Sequence, residues 1–147
     1  MASIVGPLVT LAVAKRQFNA TVLSANRQKW IETLRDMLAE LISLLVAAVT
    51  IKAMGKIKWD RGLGPISSDP ALLQKLERIV LVQWKIRLLT NPNEPDHLDL
   101  NQLIDRAFKR LQAEGTEDEA TESDIENITR LGQAILKREW ARVKRGI

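Results

Sequence analysis

The chain has 147 residues, of which 46% are hydrophobic and 27% are charged, so it is large enough to bury the core of one globular domain. The net charge is +4, and the absence of cysteine excludes a disulfide framework, a thiolate metal site and a cysteine nucleophile. The single histidine, His97, excludes a multi-histidine metal site, and no glycine-rich phosphate-binding motif occurs. The sequence therefore predicts no catalytic residue, no metal and no cofactor.

The basic residues are concentrated in the N-terminal part of the chain. Residues 1–61 contain nine basic and four acidic side chains, whereas residues 62–147 contain thirteen and fourteen. Basic residues beside apolar stretches suggest contact with an anionic lipid surface at least as readily as with nucleic acid. A solubilising face on long helices explains the same excess, so both interpretations stay open.

An uncharged segment opens the chain. Residues 1–14 carry no charged side chain, and Lys15 and Arg16 follow at once. A helix that crosses a bilayer needs about 20 residues, so this segment is short for a span. It is interpreted as a short membrane anchor, an interfacial segment or a piece of core. If it is an anchor, Lys15 and Arg16 favour the cytoplasmic side of the inner membrane for the rest of the chain, and if it is core, the protein is cytoplasmic.

One long helix is predicted over residues 17–54. Its apolar side chains recur at steps of three and four, which places them on one stripe of a helix. They are Trp30, Ile31, Leu34, Met37, Leu38, Leu41, Ile42 and Leu45. Residues 41–51 are uncharged and apolar all round, which is typical of a buried helix or a helix–helix seam. Leu41, Leu45 and Val49 are therefore predicted to form an oligomer seam.

Three further helices and three loops complete the predicted architecture. Glycine, proline and serine mark a loop near residues 60–69, and Pro70 begins a helix that runs to about Leu89. A proline-containing loop near 90–97 precedes a helix over about 98–113. After a loop near 114–117, the last helix starts close to Thr116. The sequence thus predicts an all-α protein, in which residues 15–147 form a single helical-bundle domain.

Tryptophan among basic residues suggests contact with a membrane surface. Lys56, Lys58 and Trp59 follow the apolar segment, and Trp140 lies among the bases of the last helix. Such residues are typical of interfacial anchors, although partial burial is the commoner fate of tryptophan. The same basic C-terminus also fits a nucleic-acid patch, or a helix end whose bases match the helix dipole.

His97 is the one candidate for acid–base or metal chemistry. It lies near Glu94, Asp96 and Asp99, which together offer a carboxylate–histidine pair or the ligands of a divalent ion. The same residues are the ordinary composition of a helix start, with Asp96 as the cap and His97 in the first turn. We favour this structural interpretation.

Three separated strings resemble a family of small bacterial and phage proteins. The first is the signature formed by Arg27, Gln28, Trp30, Ile31, Leu34 and Arg35. The second is KIRLLTNPNEPDH at residues 85–97, and the third is ILKREWARVKRG at residues 135–146. The resemblance implies a membrane-tethered helical protein with a cytoplasmic bundle, and it implies no activity. In that family the N-terminal segment is usually long enough to cross a membrane.

The favoured function is that of a non-catalytic interaction or assembly protein, associated with a membrane and with itself. Here the long helix would supply the contacts between copies. A membrane-perturbing effector, in which residues 1–14 and 41–54 enter the bilayer, is the first alternative. A nucleic-acid-binding module is the second. An enzyme is the least favoured class, because no base, nucleophile and ligand set occurs together.

Overall fold

The computed structural model describes residues 5–61, 70–113 and 118–145, and within them the side chains of 21–56, 60–61, 70–113 and 119–145. Four helices occupy almost all of these ranges. They are α1 (Val5–Asp60), α2 (Pro70–Leu89), α3 (Pro95–Gln112) and α4 (Asp118–Arg145). The described ranges contain no strand, so the predicted all-α architecture is confirmed. The long α1 packs mainly against α2 and α4, and α3 packs mainly against α4.

Helix α1 is longer at both ends than the predicted 17–54. It begins at Val5 and ends at Asp60, so the uncharged N-terminal segment and the amphipathic stripe share one continuous helix. Pro7 lies in the first turn, where its missing N–H costs no hydrogen bond. Gly55 lies inside this helix, where glycine costs about 1 kcal/mol relative to alanine. Among the side chains that the structure describes, which begin at Thr21, the first fully buried one is Ile31.

The core follows the predicted stripe of α1. Its buried members on α1 include Leu34, Leu38, Leu41 and Leu45, which meet apolar side chains of the other three helices. Those helices contribute Ile79, Val82, Ile86, Leu100, Ile104, Ala107, Leu111, Ile125, Ile128 and Ile135. Helices α1 and α4 come especially close at Gly132 of α4, because a Cβ built there would lie 2.9 Å from Cδ1 of Leu38 on α1.

The predicted start of α3 is three residues late. The helix begins at Pro95, with Glu94 as its N-cap in extended conformation and no side-chain cap hydrogen bond. Asp96, which the sequence suggested as the cap, lies in the first turn instead. Proline at the first position explains the difference, because its fixed φ suits a helix start and its missing N–H is not needed there.

Helix ends and ion pairs fix how the helices lie against one another. Lys52 of α1 donates to the backbone oxygen of Ala113 at 2.6 Å, just beyond the end of α3. A cation at this end complements the helix dipole and binds an otherwise unsatisfied carbonyl. Between α3 and α4, the carboxylate of Asp124 is buried and pairs with Arg106 at 2.8 Å and Arg110 at 2.9 Å. The loop of residues 114–117, predicted to join these helices, lies outside the described residues, as does most of the loop near 60–69.

Candidate functional site

An ionic cluster lies at the end of the bundle where α2 ends and α3 begins. We call it the ionic junction, and it consists of Arg27, Glu94, Asp96, His97, Arg138, Glu139 and Arg142. Helix α1 contributes one member, the start of α3 contributes three and the second half of α4 contributes three. The junction therefore ties together helices that are far apart in the chain.

Arg138 is the centre of the junction. Its guanidinium donates to Asp96, to Glu94 at 2.6 Å and to Glu139 at 3.1 Å. Burial lowers the pKa of Arg138, but the hydrogen bond to Glu139 and the charges of Asp96 and Glu94 outweigh it, so that the pKa is raised. The arginine thus stays charged and holds three carboxylates around it.

Glu139 connects the junction to α1. Its side chain is only 7% exposed, and its carboxylate accepts from Arg142 at 2.7 Å as well as from Arg138. On α1, Arg27 lies 3.7 Å from the same carboxylate. A buried carboxylate is costly unless cations and hydrogen bonds surround it, and here three arginines do so.

Trp30 fixes the end of α2 beside this cluster. Its indole N–H donates to the backbone oxygen of Leu89 at 2.7 Å, and its ring centroid lies 5.9 Å from that of His97. This hydrogen bond satisfies one of the free carbonyls at the C-terminus of α2. Thr90 and Asn101 extend the network, because the Asn101 side chain donates to Thr90 at 2.9 Å and to the backbone of His97 at 2.8 Å.

The hydrogen bonds of His97 define its tautomer. The side chain is 4% exposed, and its Nδ1 accepts from the backbone N–H of Asn91 at 3.0 Å. Neutral imidazole then carries its proton on Nε2. That atom lies 3.5 Å from Nη2 of Arg138 and 3.9 Å from Oε2 of Glu94. His97 is therefore a packed core residue that orients the loop before α3.

The same geometry bears on a metal site. Ligand atoms of Glu94, Asp96 and His97 lie within 4.8 Å of one another, as metal ligands do. To bind a cation through Nε2, however, His97 would carry its proton on Nδ1, which faces the donor N–H of Asn91. Arg138 already occupies the space between the two carboxylates. Both observations favour an ion-pair cluster over a metal centre.

A pocket of about 240 Å³ opens beside the junction. Its lining consists of Arg27, Trp30, Leu89, Asn91, Glu94, His97, Glu139 and Arg142. These side chains include no hydroxyl or thiol, and the cations and carboxylates among them are paired with one another. The lining therefore offers no serine, threonine, cysteine or lysine nucleophile.

A second feature is the outward side of α2. Five large apolar side chains there are exposed, and we call them the α2 outer face: Leu73, Val80, Leu81, Trp84 and Leu88. They lie almost opposite the buried Ile79, Val82 and Ile86, so α2 is apolar on two sides. Leu88 is 84% exposed and Trp84 is 54% exposed. An apolar stripe of this kind marks an interaction surface more often than scattered exposed leucines do.

The residues of the first string, on which the resemblance was based, have different environments. Ile31 and Leu34 are buried in the core, Arg27 belongs to the ionic junction, and Trp30 lies beside it. Gln28 is exposed, and its side chain donates to Glu32 one turn later at 3.2 Å. Arg35 is exposed on the outer side of α1. The structure thus brings together this string, the loop before α3 and the C-terminal string, which are the three places of the resemblance.

The predicted oligomer-seam residues are packed inside the chain. Leu41 and Leu45 are fully buried, and Val49 is 8% exposed, all within the common core. Their apolar character is explained by packing against the other helices of the same chain. A seam at these residues would require α1 to leave the bundle.

The membrane-surface candidates are only partly described. The side chains of Lys15, Arg16, Lys58 and Trp59 lie outside the described residues. Lys56 is exposed, and Trp140 is 38% exposed. Within α1, the stretch Thr21–Lys56 contains a window long and apolar enough to cross a membrane, and a third of that window is buried inside the bundle. A core helix of a soluble bundle has the same composition, so this finding alone is weak evidence for a span.

Sequence reasoning missed Arg138 and the α2 outer face. The acidic sequence around Glu94 and the basic C-terminal helix were both visible, but nothing local indicated that they meet. On α2, the apolar positions cover more of the helix surface than one packed face can hold, and this width was the available signal. Comparison of the chain with protein-family models, with curated proteins and with solved structures finds no match.

Proposed function

We propose that the protein is a non-catalytic helical assembly protein that associates through the α2 outer face. The observation that carries this proposal is the second apolar side of α2, opposite the side that packs into the core. Exposed apolar surface costs about 25 cal/mol for each Å² left in water, so five large side chains on one helix favour association. Leu73, Leu81 and Leu88 extend this surface over most of the helix.

Polar contacts of α2 with its neighbours support this role by holding α2 in place. Trp30 binds the last residue of α2, and Arg87 of α2 pairs with Asp105 of α3 at 2.7 Å. At the other helix edge, Arg78 pairs with Glu40 of α1. A surface that is rigid before binding loses less conformational entropy when a partner covers it.

We also propose that α1 tethers the bundle to the cytoplasmic face of the inner membrane. The 22 residues of α1 from Val5 to Asn26 precede the ionic junction and the core, and they span about 33 Å at 1.5 Å per residue. Their uncharged beginning, followed by Lys15 and Arg16, supports contact with an anionic lipid surface. Membrane fractionation with a carbonate wash tests this part. The full chain should stay in the washed pellet and a chain lacking residues 1–14 should not, whereas two soluble chains would contradict the tether.

Sedimentation velocity over a wide range of protein concentration tests association through α2. The wild type should sediment faster as its concentration rises, and Leu81→Glu should sediment as a monomer at every concentration. Val46→Glu is the matched control, because Val46 is an exposed apolar residue of α1, 49% exposed, outside the α2 outer face. A wild type that stays monomeric, or a Leu81→Glu variant that associates as the wild type does, would overturn the proposed function.

A further inference from the structure

We infer that the partner of the α2 outer face is a second copy of the same chain, packed antiparallel about a two-fold axis between Val80 and Leu81. This inference rests on the proposed function, since it names the occupant of the same surface. It follows from the order of apolar and charged residues along α2.

The apolar residues of α2 are arranged nearly symmetrically about the middle of the helix. Leu73 and Leu88 lie at equal distances from the point between Val80 and Leu81, about 11 Å on either side at 1.5 Å per residue. In an antiparallel pair, Leu73 therefore meets the partner's Leu88, and Val80 meets the partner's Leu81. A two-fold pair uses the same surface on both copies, so it closes and leaves neither stripe exposed.

The charges on this surface select the antiparallel direction. Glu77 lies within the apolar stripe, between Leu73 and Leu81, and it is exposed. In a parallel pair, Glu77 would face the partner's Glu77. Two like charges would then lie in an apolar contact. In the antiparallel pair, Glu77 lies beside the partner's Trp84 and next to the partner's Lys85, which is also exposed.

Arg87 also favours the antiparallel direction over the parallel one. Its guanidinium lies 5.1 Å from the ring centroid of Trp84, so the C-terminal half of α2 presents a cation and an aromatic ring together. The partner's Glu77 approaches this half in the antiparallel arrangement. Glu77 is thus placed against the half of α2 whose charged side chains, Lys85 and Arg87, are both cations.

The position of Glu77 also argues against lipid as the occupant. A helix that lies on an anionic membrane places basic residues around its apolar stripe and keeps acidic residues on the opposite side. Here a carboxylate lies inside the stripe itself, where headgroup charge would repel it. A second copy supplies Lys85 at that position, whereas a lipid surface does not.

Site-specific crosslinking of the full chain tests the arrangement, because the chain contains no cysteine that would interfere. In the antiparallel pair, two copies of Leu81→Cys lie almost opposite each other and should form a disulfide-linked dimer under mild oxidation. Copies of Leu73→Cys lie about 22 Å apart along the helices and should not crosslink with themselves. The same holds for Leu88→Cys. A mixture of Leu73→Cys and Leu88→Cys chains, one carrying an affinity tag, should give the mixed dimer.

Charge reversal gives an independent readout in sedimentation velocity. Glu77→Lys and Lys85→Glu should each weaken the dimer, and the double variant should restore it, because the pair is exchanged across the interface.

If Leu73→Cys and Leu88→Cys each crosslink with themselves, the copies are parallel. The antiparallel arrangement is then wrong, while association through α2 stands. Wild-type association without crosslinking at any of the three positions would assign another surface to the dimer. A wild type that is monomeric would overturn the proposed function as well.

Discussion

Removing the guanidinium of Arg138 should lower the stability of the whole bundle. Arg138→Met keeps most of the alkyl stem and its packing, so the change isolates the loss of contacts to Glu94, Asp96 and Glu139. The side chain is 34% exposed, which places the site between an exposed ion pair, worth about 0–1 kcal/mol, and a buried one, whose broken partner costs about 3–5 kcal/mol. We expect a loss of about 2–3 kcal/mol, or about 5–10 °C in melting temperature for a chain of this length.

Thermal and urea unfolding followed by circular dichroism measure this loss. Arg130→Met on the same helix is the control, because Arg130 is exposed and donates locally to Asn127 at 2.6 Å, and its loss should change stability by less than about 0.5 kcal/mol. If Arg138→Met costs no more than Arg130→Met, the ionic junction does not hold the helices together. Since the pKa of Arg138 is raised, the guanidinium stabilises the fold at neutral and moderately alkaline pH, and this contribution is lost as the pH rises through the folded value. The difference between wild type and Arg138→Met should therefore stay constant over about pH 7 to 9.

Two further changes test the contacts of α1 with its neighbours. Trp30→Phe removes the hydrogen bond to the backbone of Leu89 and should cost about 1–2 kcal/mol in urea unfolding. Trp84→Phe, on the exposed side of α2, is the control and should leave stability unchanged. Equal losses in the two variants would show that the hydrogen bond contributes nothing. Gly132→Ala should destabilise the fold, because overpacking against Leu38 costs about 1–3 kcal/mol while the better helix propensity returns about 1 kcal/mol. In a Leu38→Val background, which lacks the contacting Cδ1 atom, the same substitution should no longer destabilise, and a double-mutant cycle without coupling would contradict the close approach.

The helices and the core could be predicted because they depend on local spacing. The apolar steps along α1 placed Ile31, Leu34 and Leu38 on one stripe, and all three are buried. The bounds of α2 were also predicted, since Pro70 begins the helix and the stretch after Leu89 ends it. At Pro95 the local signal was ambiguous, and the predicted start of α3 was three residues late.

The ionic junction could not be predicted in the same way, because it depends on which helix ends meet. Glu94 and Arg138 are 44 residues apart, and their charges alone are equally consistent with solvated helix ends. Arg27 of α1 lies 3.7 Å from the carboxylate of Glu139 on α4. Choosing it among the other acids of the chain requires the packing of α1 on α4.

The α2 outer face shows a different limit of sequence-based prediction, which concerns the exposure of apolar side chains. Leu73 and Val80 belong to the apolar pattern of α2, and the pattern alone assigns them to the packed side together with Ile79. In the structure they are exposed, since α2 packs mainly against α1 and to a smaller extent against α3 among the described residues. Periodicity identifies apolar surface, but it does not say whether the same chain or another molecule covers it.

Hydroxyl-radical footprinting of the full chain, read by mass spectrometry at low and at high protein concentration, tests the role of the α2 outer face most directly. Trp84 and Leu88 should lose reactivity in the concentrated, associated sample. Leu98 of α3, which is 46% exposed and lies outside this surface, should react equally in both. Association that leaves Trp84 and Leu88 fully reactive would contradict a role for α2 in assembly.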